Sequence, residues 1–167
     1  MLTGPLILEM RNLKKELSDS EVFLADRKTT YTRNFNARVD NLPISSGTIG
    51  EYVGTHSTRE LDNLAVPCGV YSRFNVDPGI SKSQCERLYK LWLQYSLTKE
   101  RADAVFTAQD NGKISGLIMV YKKPQSGEIC LVSVEKHMQG KDIGMALVKT
   151  AEKWFILRGC QEGRVVT

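Results

Sequence analysis

The stretch EICLVSVEKHMQGKDIGMALVKTAEKW, Glu128 to Trp154, decides the fold. Its opening, Glu128 to Val134, is nearly continuously apolar, which predicts a strand covered on both faces. A polar turn follows, and then a long helix from about Ile143 to Arg158 with Leu147, Ala151, Trp154 and Phe155 on one face and Gly159 as its stop. A strand-to-helix turn of this kind aims several backbone N–H groups in one direction, and the helix dipole adds partial positive charge there, so it suits a phosphate. Gly140 and Gly144 have no Cβ and would let a ligand come close to the backbone. Two glycines at a helix start fit tight strand-to-helix packing equally well.

Upstream of this junction, Ala104 to Ala108 and Ile114 to Tyr121 are β-rich runs joined through Asn111-Gly112, which supplies the positive φ angles of a hairpin turn. Lys122 to Gly127 reads as a second turn, and Arg164 to Thr167 as the opening of another strand. Nearer the N-terminus, Leu6 to Leu17 has helical spacing, while Glu21 to Ala25 and Thr29 to Phe35 are short β-type runs. The alternation in the second run suits an exposed or edge strand. Residues 40–57 are rich in glycine and hydroxyl side chains and read as a loop. Ser57 to Glu60 and Ser83 to Glu86 both have the capping-box pattern, the first opening a short helix through Leu64 that Pro67 closes. Between them Asn75 to Gly79 reads as a turn, and the second box opens a helix with Cys85, Leu88, Leu91, Trp92 and Tyr95 as its apolar stripe.

Composition narrows the function classes. With 167 residues, 41% hydrophobic and 25% charged, the chain has the make-up of an ordinary globular protein of one domain, two full domains being a squeeze, and no run reaches the length of a membrane span. Met1 to Leu8 has no basic n-region or cleavage site, so the sequence predicts a cytoplasmic address. Cys68, Cys85, Cys130 and Cys160 show no metal-ligand or redox spacing and read as small buried side chains; with only two histidines, no metal is expected. The net charge of +4 lies in the second part: residues 61–167 hold fifteen basic and eleven acidic side chains, against eight and eight before them. No Lys/Arg stripe or stacking pattern marks a nucleic-acid surface.

The order strand, hairpin, strand, turn, strand, glycine turn and long helix resembles the Gcn5-related N-acetyltransferase family. Gln139 to Ala146, QGKDIGMA, is similar to that family's pyrophosphate loop, Q/R-x-x-G-x-G/A, with Gln139 first and Gly144 last. Asp142 stands where the first motif glycine would be, and its carboxylate would repel a pyrophosphate unless it points to solvent or pairs with Lys141. The resemblance implies an α/β (α+β) fold with a mixed, mostly antiparallel sheet flanked by helices, here lacking the final helix and strands. It implies acetyl-CoA as the cofactor. The backbone of Leu131, Val132, Ser133 and Val134 would pair with the pantetheine arm, and the loop Gln139, Gly140, Lys141, Asp142, Ile143, Gly144, Met145 and Ala146 would hold the pyrophosphate. Many family members use a glutamate near the start of this strand to take the amine's proton, which here is Glu128. Period 2 puts Glu128, Cys130, Val132 and Val134 on one face, where desolvation would raise the carboxyl pKa; a solvated strand-end residue is the other reading of Glu128.

Residues 70–98 resemble the acceptor side of bacterial N-acetyltransferases acting on nucleotide-linked amino sugars of the TDP-fucosamine type. Tyr71, Arg73 and Phe74 would line the acceptor cleft, Arg73 facing a phosphate or carboxylate and Phe74 a sugar or base. The expected domains are an N-terminal extension, 1–27, and an acetyltransferase domain, 28–167, read as C-terminally incomplete with an unpaired last strand that a homodimer could cover. The expected partners are a small-molecule amine and neither membrane nor nucleic acid. The alternative is an acyl-CoA-binding or interaction module with this fold and impaired catalysis.

Overall fold

The computed structural model describes residues 28–35 and 48–167. These contain one six-stranded sheet in the order β1-β6-β5-β4-β3-β2. The strands are β1 Thr30–Asn34, β2 Thr48–Glu51, β3 Ala104–Asp110, β4 Lys113–Lys122, β5 Ser126–Val134 and β6 Glu162–Val166. All neighbours run antiparallel except β5 and β6. A parallel pair needs a crossover, supplied here by helix α4, Ile143–Leu157. Helices α1 Arg59–Ala65, α2 Arg73–Val76 and α3 Lys82–Leu97 lie between β2 and β3 in the chain.

The alternation of β4 divides the core. Leu117 and Met119 join Leu61, Leu64, Tyr89 and Leu93 of α1 and α3 on one face, while Ile118 and Val120 meet Leu147, Ala151 and Phe155 of α4 on the other. Two glycines let the layers close. A Cβ on Gly127 would lie 2.0 Å from the Phe155 ring, and one on Gly116 would lie 3.0 Å from Leu147 and 3.2 Å from Ile143. The start of α4 therefore sits close on the sheet.

Several expectations hold. The β3–β4 hairpin turns on Asn111 and Gly112 at φ 48° and 77°, α4 buries Leu147, Ala151, Trp154 and Phe155, and Gly159 at φ 77° ends it. β1 is an edge strand exposed along its whole length. The expected helix Leu6 to Leu17 and strand Glu21 to Ala25 lie outside the described residues.

Other expectations are corrected. Residues 48–51 of the supposed loop form β2, because even a short, polar run gains a ladder by pairing with β3. Thr58, not Ser57, caps α1 by accepting from the Leu61 amide; Ser57 Oγ instead donates to Asp62 at 2.5 Å. The second capping box is Ser81 with Gln84, two residues earlier than expected, since glutamine completes it as well as glutamate does. The buried stripe follows the i+4 row Cys85, Tyr89, Leu93 and Leu97, with Ser96 beside it, where the expected stripe took i+3 steps to Leu88, Leu91 and Tyr95; Leu91 and Tyr95 are exposed. Arg73–Val76 is one turn of helix, so the expected turn at Asn75 to Gly79 begins inside it. Pro67 does not end the helical run outright, because it occupies an early position of a 3-10 turn, Val66–Gly69, where its missing N–H costs nothing. The last strand has no bare edge: β1 pairs along β6 from Thr30↔Val166 to Asn34↔Glu162.

Candidate active-site cleft and anion turn

The turn between β5 and α4 carries a row of unused donors. The Ala146 amide gives the first bond of the α4 ladder, to the Asp142 carbonyl at 2.9 Å. Among the described residues, the amides of Gly140 to Met145 have no protein acceptor, and no side chain caps the helix. Gly140 at φ 77° and Asp142 at φ 59° bend the chain so that these amides gather at the helix start. Asp142 thus adopts the left-handed conformation that glycine takes most easily and aspartate tolerates better than most residues. Its side chain is exposed, and Lys141 turns away from it, to the Met138 sulfur at 3.3 Å. Neither turn glycine serves protein packing. A Cβ on Gly140 would meet nothing within 4 Å, and one on Gly144 only Val134 Cγ2 at 3.7 Å. The expectation of tight strand-to-helix packing at these two positions is therefore corrected; Gly116 does that work.

β5 packs against both layers as expected, Cys130 and Leu131 on one cluster and Ile129 and Val134 on the other, but it is bulged and then open along one edge. Its register with β4 slips between Met119↔Leu131 and Val120↔Ile129, so Cys130 is an extra residue. Cys130 and Leu131, adjacent in sequence, consequently both contact the α1/α3 cluster, and Val134 contacts the α4 cluster. This breaks the single face expected for Glu128, Cys130, Val132 and Val134. Pairing with β6 runs only from Ser126↔Glu162 to Ile129↔Val165. Beyond the bulge the two strands part, and the β6-facing rim of β5 has no strand partner among the described residues.

Alternation tells which backbone groups face the gap. The Glu135 amide donates to Ser115 O, so Leu131 and Ser133 turn their backbone groups toward β4, and Val132 and Val134 turn theirs outward. Side chains already touch those outward carbonyls: Cys68 Sγ donates to Val132 O at 3.8 Å and Gln139 Nε2 to Val134 O at 3.2 Å.

A cleft of about 880 Å³ opens at this parting. It brings together Tyr71, Arg73 and Phe74, expected on the acceptor side, with Glu128, the expected base, and Leu131 and Val132, expected along the pantetheine arm. Tyr71 is 94% exposed at the rim, and the Arg73 guanidinium lies 4.8 Å from the Phe74 ring centre. The turn residues Gln139 to Ala146 do not line this cleft; they lie beyond the far end of β5.

Glu128 behaves differently from expectation. Partial burial pushes its carboxyl up, but hydrogen bonds from Lys123 and Tyr121 and the charges of Lys123 and Arg164 outweigh this and hold it below the usual range. Its Oε2 lies 2.5 Å from Lys123 Nζ. Desolvation alone would raise the carboxyl as the strand pattern implies; Lys123, across the turn, reverses the outcome.

Sequence reasoning also missed part of the wall. Cys68 and Cys130, expected to be buried, are half-buried and line the cleft, whereas Cys85 and Cys160 are buried as expected. Burial pushes the Cys130 thiol up to about 12, with the Glu128 and Asp103 carboxylates adding to the effect. Burial likewise raises Cys68, partly offset by a hydrogen bond with Ser133. Tyr89, Trp92 and Tyr121 add aromatic surface. Only a knowledge of the bulge and the parted strands would have drawn these residues together.

The sheet thus parts beside a bulged strand, with a turn of free amides at one end and an aromatic cleft at the other. A family model described as the Acetyltransferase (GNAT) family matches residues 71–166, more than half the chain, and the chain belongs to that family. No curated protein matches the sequence. Among solved structures, PaiA N-acetyltransferase from Thermoplasma acidophilum, in complex with coenzyme A, is 17% identical with a TM-score of 0.55; the match covers 71% of this chain and 78% of that one. Ribosomal-protein-alanine N-acetyltransferase from Brucella melitensis biovar Abortus 2308 is 16% identical with a TM-score of 0.52, covering 72% and 79%. IAA acetyltransferase from Bacillus cereus ATCC 14579 is 21% identical with a TM-score of 0.45; the match covers 68% of this chain and spans only 61% of that one. These likenesses concern the fold.

Proposed function

We propose that the protein transfers an acetyl group from acetyl-CoA to a primary amine, and that a nucleotide-linked amino sugar of the TDP-fucosamine type is the acceptor class. One observation carries the reading: the open rim of β5 runs from the aromatic cleft to the turn of free amides, and family membership gives that geometry its meaning. The amides of Gly140 to Met145 would hold the pyrophosphate, with room at Gly140 and Gly144 for its oxygens. The outward groups of Val132 and Val134 would pair with the pantetheine arm. A coenzyme A thioester would supply the acyl group; the acceptor's amine, its ammonium proton lost to solvent, would attack the carbonyl carbon, an outward β5 amide would steady the carbonyl oxygen, and the C–S bond would break with the second nitrogen proton leaving on the thiol of coenzyme A.

The acceptor reading rests on what the cleft offers. Phe74, Tyr89, Trp92 and Tyr121 give flat apolar faces, and Arg73 has no carboxylate partner among the described residues, so it is free for a phosphate. Glu128 faces the same space with negative charge toward the amine. A second reading, an acyl-CoA-binding module without turnover, is favoured by Asp142 at the mouth of the amide turn.

Calorimetry with acetyl-CoA, followed by thiol release with TDP-fucosamine and a panel of simple amines, separates these. Binding and turnover with the nucleotide sugar support the proposal in full. Turnover with other amines alone removes the sugar assignment. Binding without turnover selects the module, and no binding overturns both.

A further inference from the structure

The register of the β4–β5 hairpin places three groups in one cluster at the cleft wall. Tyr121 and Glu128 are directly paired across the strands, so their side chains leave the sheet on the same face. The intervening turn is closed by the Lys123 amide donating to Ser126 O at 2.7 Å and is stiffened by Pro124. This turn swings the Lys123 ammonium back over the Tyr121 ring, 5.4 Å from its centre, and onto Glu128 Oε2 at 2.5 Å. Glu128 is only 19% exposed, and the space its carboxylate meets is the cleft.

We propose that Lys123 and Tyr121 hold Glu128 as a fixed carboxylate whose work is to attract the acceptor's ammonium group, not to remove its proton. This rests on the reading of the cleft as the acceptor site. A general base must take up a proton during the reaction, and protonating Glu128 would discard a close charge-assisted bond to Lys123. An anion that keeps its charge instead gives the cleft a constant point of attraction for a cation. The other charged and titratable groups around Glu128 do not undo the clamp. Arg164, its register partner on β6, is engaged by Glu162 but still favours the carboxylate. Asp103, at the start of β3, is held by the Lys122 amide at 2.5 Å. Cys130, on β5 itself, keeps its proton across the working range. Lys123 is thus a positioning residue, with Glu128 touching the substrate.

The test does not depend on turnover. In protein labelled with ¹³C at glutamate carboxyls, the Glu128 titration should move to higher pH in Lys123→Met and return in Lys123→Arg, with thermal melts confirming that both variants fold. Phenethylammonium, a small aromatic cation suited to the cleft, should bind about tenfold more weakly to Glu128→Gln than to the parent, the loss expected for one charge-assisted hydrogen bond. An unmoved Glu128 titration in Lys123→Met overturns the clamp, and equal phenethylammonium affinity in Glu128→Gln overturns the ammonium site. Acetyl-CoA affinity, measured on the same samples, reports separately on the acetyltransferase reading, because the amide turn lies beyond the opposite end of β5.

Discussion

Replacing Asp142 by glycine and, separately, by asparagine isolates what its carboxylate does at the amide turn. Asp142 is the N-terminal cap of α4 at φ 59°, makes no capping bond and is exposed. Glycine would relieve the left-handed strain of an L residue, worth about 1–2 kcal/mol at most, but would also loosen the unfolded chain by about 0.4–1 kcal/mol. The net change in folding stability should therefore stay within about 1 kcal/mol. Binding should respond more strongly. A carboxylate in water-like surroundings roughly 5 Å from a phosphate charge costs about 0.8 kcal/mol, and two such charges about 1.6 kcal/mol, equivalent to roughly a tenfold loss of affinity. Calorimetry with coenzyme A in low salt should show both Asp142→Gly and Asp142→Asn binding about tenfold more tightly than the parent. Raising the salt to about 0.5 M should shrink the gain, because exposed charges are screened over a few ångströms there. A gain in glycine alone would assign the effect to the backbone. Affinity unchanged in both variants at low salt would refute the placement of a pyrophosphate beside Asp142.

Three further outcomes follow from the same geometry. Gly144→Val should fold with a melting point near that of the parent, since a Cβ there meets only Val134 at 3.7 Å, yet lose coenzyme A binding in calorimetry. Gly127→Ala should behave in the opposite sense, losing at least about 2 kcal/mol in urea unfolding, because its Cβ would enter the Phe155 ring. The folded state holds the Glu128 carboxyl below its ordinary value, chiefly through Lys123, so its stabilising share is complete above the ordinary glutamate range, about pH 4.5, and is lost as pH falls through the lower, folded value. The stability gap between the parent and Glu128→Gln, followed by thermal melts, should accordingly be constant at neutral pH and narrow below pH 4.5.

The parts of this fold legible in the sequence are those whose signal is local. Asn111-Gly112 announces its turn because only a few residues accept positive φ, and α4 announces itself because its apolar spacing and Gly159 agree. Residues 48–51 could not be read, because TIGE has little strand character of its own and owes its ladder to β3. The α3 stripe differs from expectation because apolar residues stand on both the i+3 and the i+4 rows from Cys85, and only packing against the sheet selects the second. The site divides the same way. The amide turn is a sequence-local object and was placed correctly next to β5, whereas the bulge at Cys130 depends on how two strands register and left no mark in the spacing of either. Glu128 was singled out as a strand-entry carboxylate, but its charge state is set by Lys123 across a turn, a contact that period-2 reasoning about one strand does not contain.

The bulge is also what ties the fold to its chemistry. Without the extra residue at Cys130, β5 would keep one alternation from Ser126 to Val134, and residues on opposite sides of the bulge would share faces as simple period 2 demands. The insertion changes that phase once. It leaves Glu128 facing the cleft before the bulge while turning the backbone groups of Val132 and Val134 toward the parted strand beyond it. β1 then contributes from the far side by pairing with β6, giving that strand a partner as it diverges from β5. A parted sheet needs exactly such support, because a strand bonded on one side only through Ile129↔Val165 would otherwise be free to close the gap. Cutting the β1–β6 ladder with Tyr31→Pro, which removes an amide from a strand whose side chains contribute little burial, should therefore weaken coenzyme A binding more than it lowers the melting point. A variant that melts much earlier yet binds normally while folded would show that β6 holds its position without β1.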